Sequence, residues 1–225
     1  LRENKDVRHS GINPLVHYIK FGQVENRPPN SSLSTGSHTY TAWIDQYDTL
    51  TPTDLFQINA HIEKFKHRPL ISILMPVFDP DEDFLCQALD SVISQCYPNW
   101  ECCIADDAST NTKIRDILNS YAQKDSRFKL IFRDTNGHIS AASNSALSLA
   151  LGDYIGLLDQ DDVLSEHALY MVANEINRYP KSEIIYSDED LIDEYNVRYD
   201  PYFKPDWNPE LLCGHNLATH FVVFR

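Results

Sequence analysis

The residues able to do chemistry in this chain come in short acidic runs. Asp79 follows Pro76-Val77-Phe78, and further on stand Asp106-Asp107-Ala108-Ser109-Thr110, Asn136-Gly137-His138, Asp159-Gln160-Asp161-Asp162 and Ser187-Asp188-Glu189-Asp190. The runs supply nine carboxylates with no obvious basic partners: Asp79, Asp106, Asp107, Asp159, Asp161, Asp162, Asp188, Glu189 and Asp190. Acids packed together repel and push one another's pKa up. A hard divalent cation relieves this, and Mg2+ or Mn2+ takes one or two protein carboxylates and completes its shell with phosphate oxygens. Each run also has a plainer reading. Asp106-Asp107 with Ser109-Thr110 can cap a helix, Asn136-Gly137 is a common turn, His138 suits a helix start, and Ser187 to Asp190 can be a solvated loop. Asp159-Gln160-Asp161-Asp162 resists the plain reading, because it follows an apolar strand directly and holds more acids than a cap requires. The seven glycines form neither G-x-G-x-x-G nor G-x-x-x-x-G-K. That argues against a dinucleotide site or P-loop and leaves phosphate to be held mainly through metal.

The elements that must position these runs alternate in type. Leu70 to Val77 is a nearly continuous apolar run, as in a strand buried on both faces. Leu85, Ala88, Leu89, Val92 and Ile93 mark a helix, Trp100 to Ala105 a strand, and Ile114, Ile117, Leu118 and Tyr121 a helix. Phe128 to Phe132 is a third strand, followed by a helix on Ile139, Ala142, Ala146, Leu149 and Ala150. Tyr154 to Leu158, a helix ending near Tyr179-Pro180, and a strand from Glu183 to Tyr186 complete the series. This repetition predicts an α/β fold with a mostly parallel sheet and helices on both faces. Ligands of such sheets bind beyond the carboxyl ends of the strands, where the acidic runs lie.

Residues 1–69 read as a helical and loop extension, and 70–225 as the main domain. In the extension, Leu15, Tyr18 and Ile19 form a short helical stripe, and Asn26 to Ser32 and Ser34 to Ser37 are loop chemistry. Thr51-Pro52-Thr53-Asp54 opens a helix: Thr51 caps, Pro52 takes the first position, and Asp54 meets the dipole.

With 33 Asp and Glu against 19 Lys and Arg, the net charge is −14, which argues against a nucleic-acid partner. No apolar run approaches the roughly 18 residues of a membrane span. Five cysteines without a C-x-x-C read as buried reduced thiols of a cytoplasmic protein. An acidic domain of this kind can still work at the inner face of a membrane through other parts of a longer protein.

Residues 71–225 resemble the family 2 glycosyltransferases. The matching stretches are Ile73 to Phe78, Ala105 to Thr110, Asn136-Gly137-His138-Ile139-Ser140-Ala141-Ala142-Ser143-Asn144, and Leu158 to Asp162. Tyr186 to Asp190 with Phe203-Lys204-Pro205-Asp206-Trp207 is similar to the O-antigen and surface-polysaccharide subgroup, and the stretch around Asn13 to Tyr18 is similar to a module found before such domains. The resemblance implies the GT-A (Rossmann-like) fold and an inverting, metal-dependent transfer from a nucleoside-diphosphate sugar, UDP- or dTDP-type, to a saccharide or lipid-linked acceptor. It implies that Pro76, Val77, Phe78 and Asp79 border the base and that Asp107, with Asp106 nearby, accepts a hydrogen bond from it. Asn136 and Asn144 would line the pocket, Asp159 reach the ribose or sugar, and Asp161, supported by Asp162, hold Mg2+ or Mn2+. The catalytic base is expected in a later acidic motif beyond Arg225, so that this stretch by itself binds donor but turns over poorly. Two rivals follow from the same residues: a degenerate domain that binds carbohydrate or a partner without catalysis, and a haloacid-dehalogenase-like phosphatase with Asp159 as nucleophile and Asp161 as acid.

Overall fold

The computed structural model describes residues 40–225. The Leu15/Tyr18/Ile19 stripe and the loop stretches up to Ser37 lie outside the described residues. The chain divides into two compact units, residues 1–47 and 48–225. Of the first, the described part is helix α1 (Tyr40–Tyr47), along which the Tyr40 ring stacks on Trp43 at a centroid spacing of 5.7 Å and the Tyr47 ring meets Trp43 at a tilt, 5.8 Å away. That spacing is what three- and four-residue steps produce on a helix.

The second unit opens with α2 (Pro52–Ile62). Its start is the predicted one: Thr51 Oγ1 accepts from Asp54 N, Asp54 Oδ2 accepts from Thr51 N, and Pro52 stands in the first turn. The expected break at residue 69 falls within this unit, since Ile58 and Ile62 of α2 are part of its core. Then follow β1 (Ile71–Val77), α3 (Glu82–Ile93), β2 (Trp100–Asp106), α4 (Thr112–Lys124), β3 (Phe128–Phe132), α5 (His138–Leu147), β4 (Tyr154–Leu157), α6 (Ala168–Arg178) and β5 (Ile184–Tyr186). A hairpin of β6 (Glu189–Ile192) and β7 (Arg198–Tyr202), the short helix α7 (Pro209–Gly214) and β8 (Val222–Phe224) complete the described chain.

The main sheet has the order β3-β2-β1-β4-β8-β5. The first four strands are parallel, so their carboxyl ends share one edge. β8 enters antiparallel between β4 and β5, so β5 does not neighbour β4 as simple alternation suggests. The two faces of the sheet carry unequal loads. Ile71, Ile73, Met75, Cys102 and Ile104 face a core built with α2, α3, α4 and α6. Leu74, Cys103 and Ala105 face α5 alone, through Ala142 and Ala146. Small side chains on both partners let α5 lie close to the sheet, which brings its N-terminus to the carboxyl edge of β1 and β2. All five cysteines are free; Cys102 and Cys103 are buried as expected, whereas Cys213 is exposed.

Candidate functional site

A cleft of about 590 Å3 opens at the carboxyl edge of the four parallel strands. Pro76, Val77 and Phe78 line it from the end of β1, Asp107 from the end of β2, Asn136 from the loop after β3, and His138, Ile139 and Ala142 from α5. Asp159, Gln160 and Asp161 close it from the turn after β4. Seven of the eleven residues singled out from sequence therefore meet in one wall. Its apolar surface with a few convergent polar groups suits a small organic ligand.

The other four take different places. Asp79 is exposed and does not line the cleft; its Oδ1 accepts from Thr110 N (2.7 Å) and Asn111 N (3.0 Å), and its Oδ2 from Thr110 Oγ1 (2.8 Å). These bonds, from Asn111 first and then Thr110, hold its carboxyl below the usual range and tie the β1 loop to the start of α4. Asp106 is buried and accepts from Ser109 N at 3.3 Å, a turn role, while the helix cap of the plainer reading falls to Asn111, whose side chain accepts from Lys113 N. Asn144 is exposed rather than in the wall. The helix phase decides this: Asn144 stands two residues beyond Ala142, which places it on the opposite side of α5. Asp162 sits behind the wall, its backbone N–H donating to Asp159 O at 3.3 Å, which folds the 159–162 run into a tight turn.

That turn is electrostatically uncompensated. Burial pushes the Asp159 carboxyl up, repulsion from Asp161 adds to it, and His220 opposes. Asp162 is raised in the same way by burial and by Asp159, Asp161 and Glu189, again against His220. Asp162 Oδ2 is buried and has no hydrogen-bond partner among the described residues. Hard, partly desolvated oxygen donors in this state fit a divalent cation of the Mg2+ or Mn2+ type.

The expectation of nine acids without basic partners fails for Asp107, Asp188, Glu189 and Asp190. Asp107 Oδ1 accepts from Arg133 Nε at 2.6 Å. Asp190 pairs with Arg198 at 2.5 Å. Asp188 accepts from Lys204 N at 2.8 Å, and burial raises its carboxyl against that bond and the Lys204 charge. Glu189 meets Lys204 Nζ at 2.8 Å and His220 Nδ1 at 3.1 Å; burial pushes it up, and these two partners together bring it below its ordinary value. Arg133 directly follows β3, whereas the other bases come from β7, the following loop and the segment before β8, elements that the alternation of strands and helices did not reveal.

Sequence reasoning also missed how the cleft is held together. Gln160 Oε1 accepts from Phe78 N at 2.8 Å, pinning the β1 wall to the β4 turn. Arg133, next after β3, reaches Asp107, and its partner Ser145 lies on the inner side of α5 where Asn144 does not. An arginine directly after a strand, at the edge where acids gather, was the available signal.

Comparison with known proteins places these features in context. Residues 72–216 match the family described as Glycosyl transferase family 2. The chain is 42% identical over 189 residues to the uncharacterized protein y4gI of Sinorhizobium fredii, covering 84% of this chain and 21% of that protein. It is 37% identical over 225 residues to the O-antigen biosynthesis protein RfbC of Myxococcus xanthus, covering 100% of this chain and 17% of that protein. The chain thus spans about a fifth of the length of these curated relatives. The solved structure of S. aureus TarS 1-349 is similar at a TM-score of 0.47 and 26% identity, covering 52% of this chain and 34% of that one. The family match includes the Asp106-Asp107 and Asn136-Gly137 runs, which the phosphatase reading of Asp159 leaves unexplained.

Proposed function

We propose that this chain, which belongs to glycosyl transferase family 2, binds a nucleoside-diphosphate sugar of the UDP or dTDP kind in the cleft and transfers its sugar with inversion. The observation that carries this reading is the distribution of groups along one cleft: a carboxylate acceptor, Asp107, in one part, apolar walls between, and the raised acids of the 159–162 turn in another. A base fits between Pro76-Val77-Phe78 and Ile139-Ala142, with Asp107 accepting from it and Asn136 beside it. Asp159 faces the ribose or the sugar. Asp79 and Asp106 support these walls through the turns they cap.

Asp161, with Asp162 behind it, would hold Mg2+ or Mn2+. Among the described residues no three His, Cys, Asp or Glu side chains are grouped to hold an ion unaided, and one or two carboxylates completed by substrate phosphate is a common arrangement for Mg2+. When bound, such an ion offsets the negative charge that grows on the departing diphosphate. In the transfer, the acceptor hydroxyl oxygen bonds to the anomeric carbon as the bond to the diphosphate oxygen breaks, and a carboxylate base takes the hydroxyl proton. Neither Asp188 nor Glu189 is assigned that role, because Lys204 occupies both and His220 occupies Glu189 as well.

The name of the Myxococcus relative, an O-antigen biosynthesis protein, supports a part in surface-polysaccharide synthesis, and the proposed acceptor is a saccharide or lipid-linked one met at the cytoplasmic face of a membrane. Among the described residues no helix is long and apolar enough to cross one. Donor binding is assigned to residues 70–225, with residues 1–69 as an extension whose helix α2 completes the core of that domain.

Calorimetric titration of UDP tests this reading. Binding is expected with Mn2+ and not with EDTA, and Asp161→Ala should weaken it by about 100-fold or more. Metal-independent binding, or full binding by Asp161→Ala, would sink it, as would failure of UDP and dTDP to bind at all.

A further inference from the structure

Asp107 does not stand alone in the cleft wall. Its side chain is 3% exposed, and Arg133 Nε donates to its Oδ1 at 2.6 Å. Arg133 is itself held: one Nη donates to Ser145 Oγ at 2.6 Å and to Ala141 O at 3.2 Å, both on α5. From the other side the Gly137 N–H donates to both Asp107 oxygens, at 3.0 Å each. Gly137 has φ −122°, which any residue can adopt, so its backbone does not call for glycine. The guanidinium does. A Cβ at residue 137 would lie 2.5 Å from Arg133 Nη2 and 2.8 Å from the Ala141 Cβ. The missing side chain makes room for the arginine, and the Asn136-Gly137 dipeptide is thereby more than a turn.

The electronic result is specific. A carboxylate presents about four acceptor positions and no donor. Oδ1 takes the strong charge-assisted bond from Arg133 and a share of the Gly137 N–H, while Oδ2 takes only the other share. Asp107 therefore keeps acceptor capacity, at a fixed angle, and offers it to the cleft it lines. A ring N–H, as at N3 of uracil or thymine, completes it. The N3 of cytosine carries a lone pair instead, and two acceptors would face each other.

We propose that Arg133, seated by Gly137 and Ser145, is the positioning residue that makes the cleft selective for a base with a ring N–H, by holding Asp107 as a fixed, acceptor-only partner. This rests on the donor-binding reading above and names the device that sets its base preference. Arg133 contacts no substrate in this scheme; it acts through Asp107.

The experiment is paired titration of UDP and CDP into the chain with Mn2+, for the wild type, Arg133→Met, Arg133→Lys and Ser145→Ala. The wild type should favour UDP by about 100-fold or more, since sites built around a hydrogen bond reject analogues that lack it strongly. Arg133→Met should bring the ratio below about tenfold mainly by weakening UDP, with CDP affinity little changed. Arg133→Lys keeps one charged donor and should be intermediate, and Ser145→Ala, which leaves the fold and the arginine in place, should lower the ratio by about threefold. Equal weakening of UDP and CDP in the variants would mark Arg133 as merely structural and overturn the inference. So would an unchanged ratio, or a wild type that binds both nucleotides alike while the donor-binding reading stands. A wild type that binds neither overturns that reading and this inference together.

Discussion

Two acidic groups at opposite edges of the same sheet meet opposite fates. At the amino edge, Glu101 of β2 is buried among its neighbours with a side chain 6% exposed. Its Oε1 accepts from Ser72 Oγ at 2.6 Å and from Leu151 N at 2.5 Å, and its Oε2 meets Lys129 Nζ at 2.6 Å. Ser72 Oγ in turn accepts from Gly152 N at 2.9 Å. Gly152 is required there by close approach, since a Cβ would strike Leu70 O and lie 2.7 Å from Ser72 Oγ. Burial alone would raise Glu101, but Lys129, Ser72 and Leu151 together bring it below its ordinary value. At the carboxyl edge, Asp159 is pushed up by burial and Asp161, and Asp162 by burial and by Asp159, Asp161 and Glu189, with only His220 opposing either, and Asp162 Oδ2 has no hydrogen-bond partner among the described residues. A buried acid that serves the fold is satisfied from within the chain. One left unsatisfied marks a place where binding can supply what the chain withholds.

Breaking the satisfied network should cost the most stability. Lys129→Met leaves Glu101 charged and buried without its cation, and should destabilise by about 2–3 kcal/mol, at the low end for a buried pair because Lys129 is 29% exposed. Thermal unfolding should show Tm lower by about 4–12 °C, with UDP affinity unchanged. A loss of UDP affinity at constant Tm would reverse the roles given to the two edges. Ser72→Ala strips one donor from Glu101 and the acceptor from Gly152 N, a loss of about 1–2 kcal/mol by the same measurement.

The pH dependence of the two edges has opposite sign. Glu101, depressed in the folded state, stabilises the fold above its ordinary value of 4.5, and that contribution is lost as pH falls through its lower folded value. Asp159 and Asp162, raised in the folded state, add nothing at low pH; their cost appears as pH climbs through the unfolded value of 3.8 and is complete above their folded values. The smallest expected effect follows. Asp162→Asn should raise the Tm of the metal-free chain at pH 7 by about 1–3 °C, should leave it unchanged below pH 3, and should weaken Mn2+-dependent UDP binding. A fall in Tm at pH 7 would show that Asp162 is already compensated.

Much of this was legible in the residues. The capping box at Thr51 and Asp54, the apolar runs of β1, β2 and β4, and the placing of acids after strands rest on short-range rules that a chain cannot escape locally. Asp106 and Asp107 show where such rules stop. They are adjacent and alike, yet one caps a turn and the other faces the cleft, because successive side chains of a strand point to opposite sides. Asn144 was misplaced for a related reason: it shares a motif with Asn136, but the phase of α5 is set by which residues pack under the sheet, and Ala142 and Ala146 win that contest.

By itself, the sequence determined the succession of strands and helices, the edge at which the acidic runs and the cleft lie, and the Asp159 to Asp162 turn as the group hardest to explain by folding alone. Tertiary structure alone decided which acids are paired. Arg133 lies 26 residues from Asp107 along the chain, Lys204 lies 15 from Glu189, and His220 lies 31 from it. It also decided that β8 enters between β4 and β5 and brings His220 toward the acidic turn. Charge pairing acts through space and carries no periodicity along the chain. Residue types can therefore announce that acids will gather, but only packing settles which of them remain free to bind.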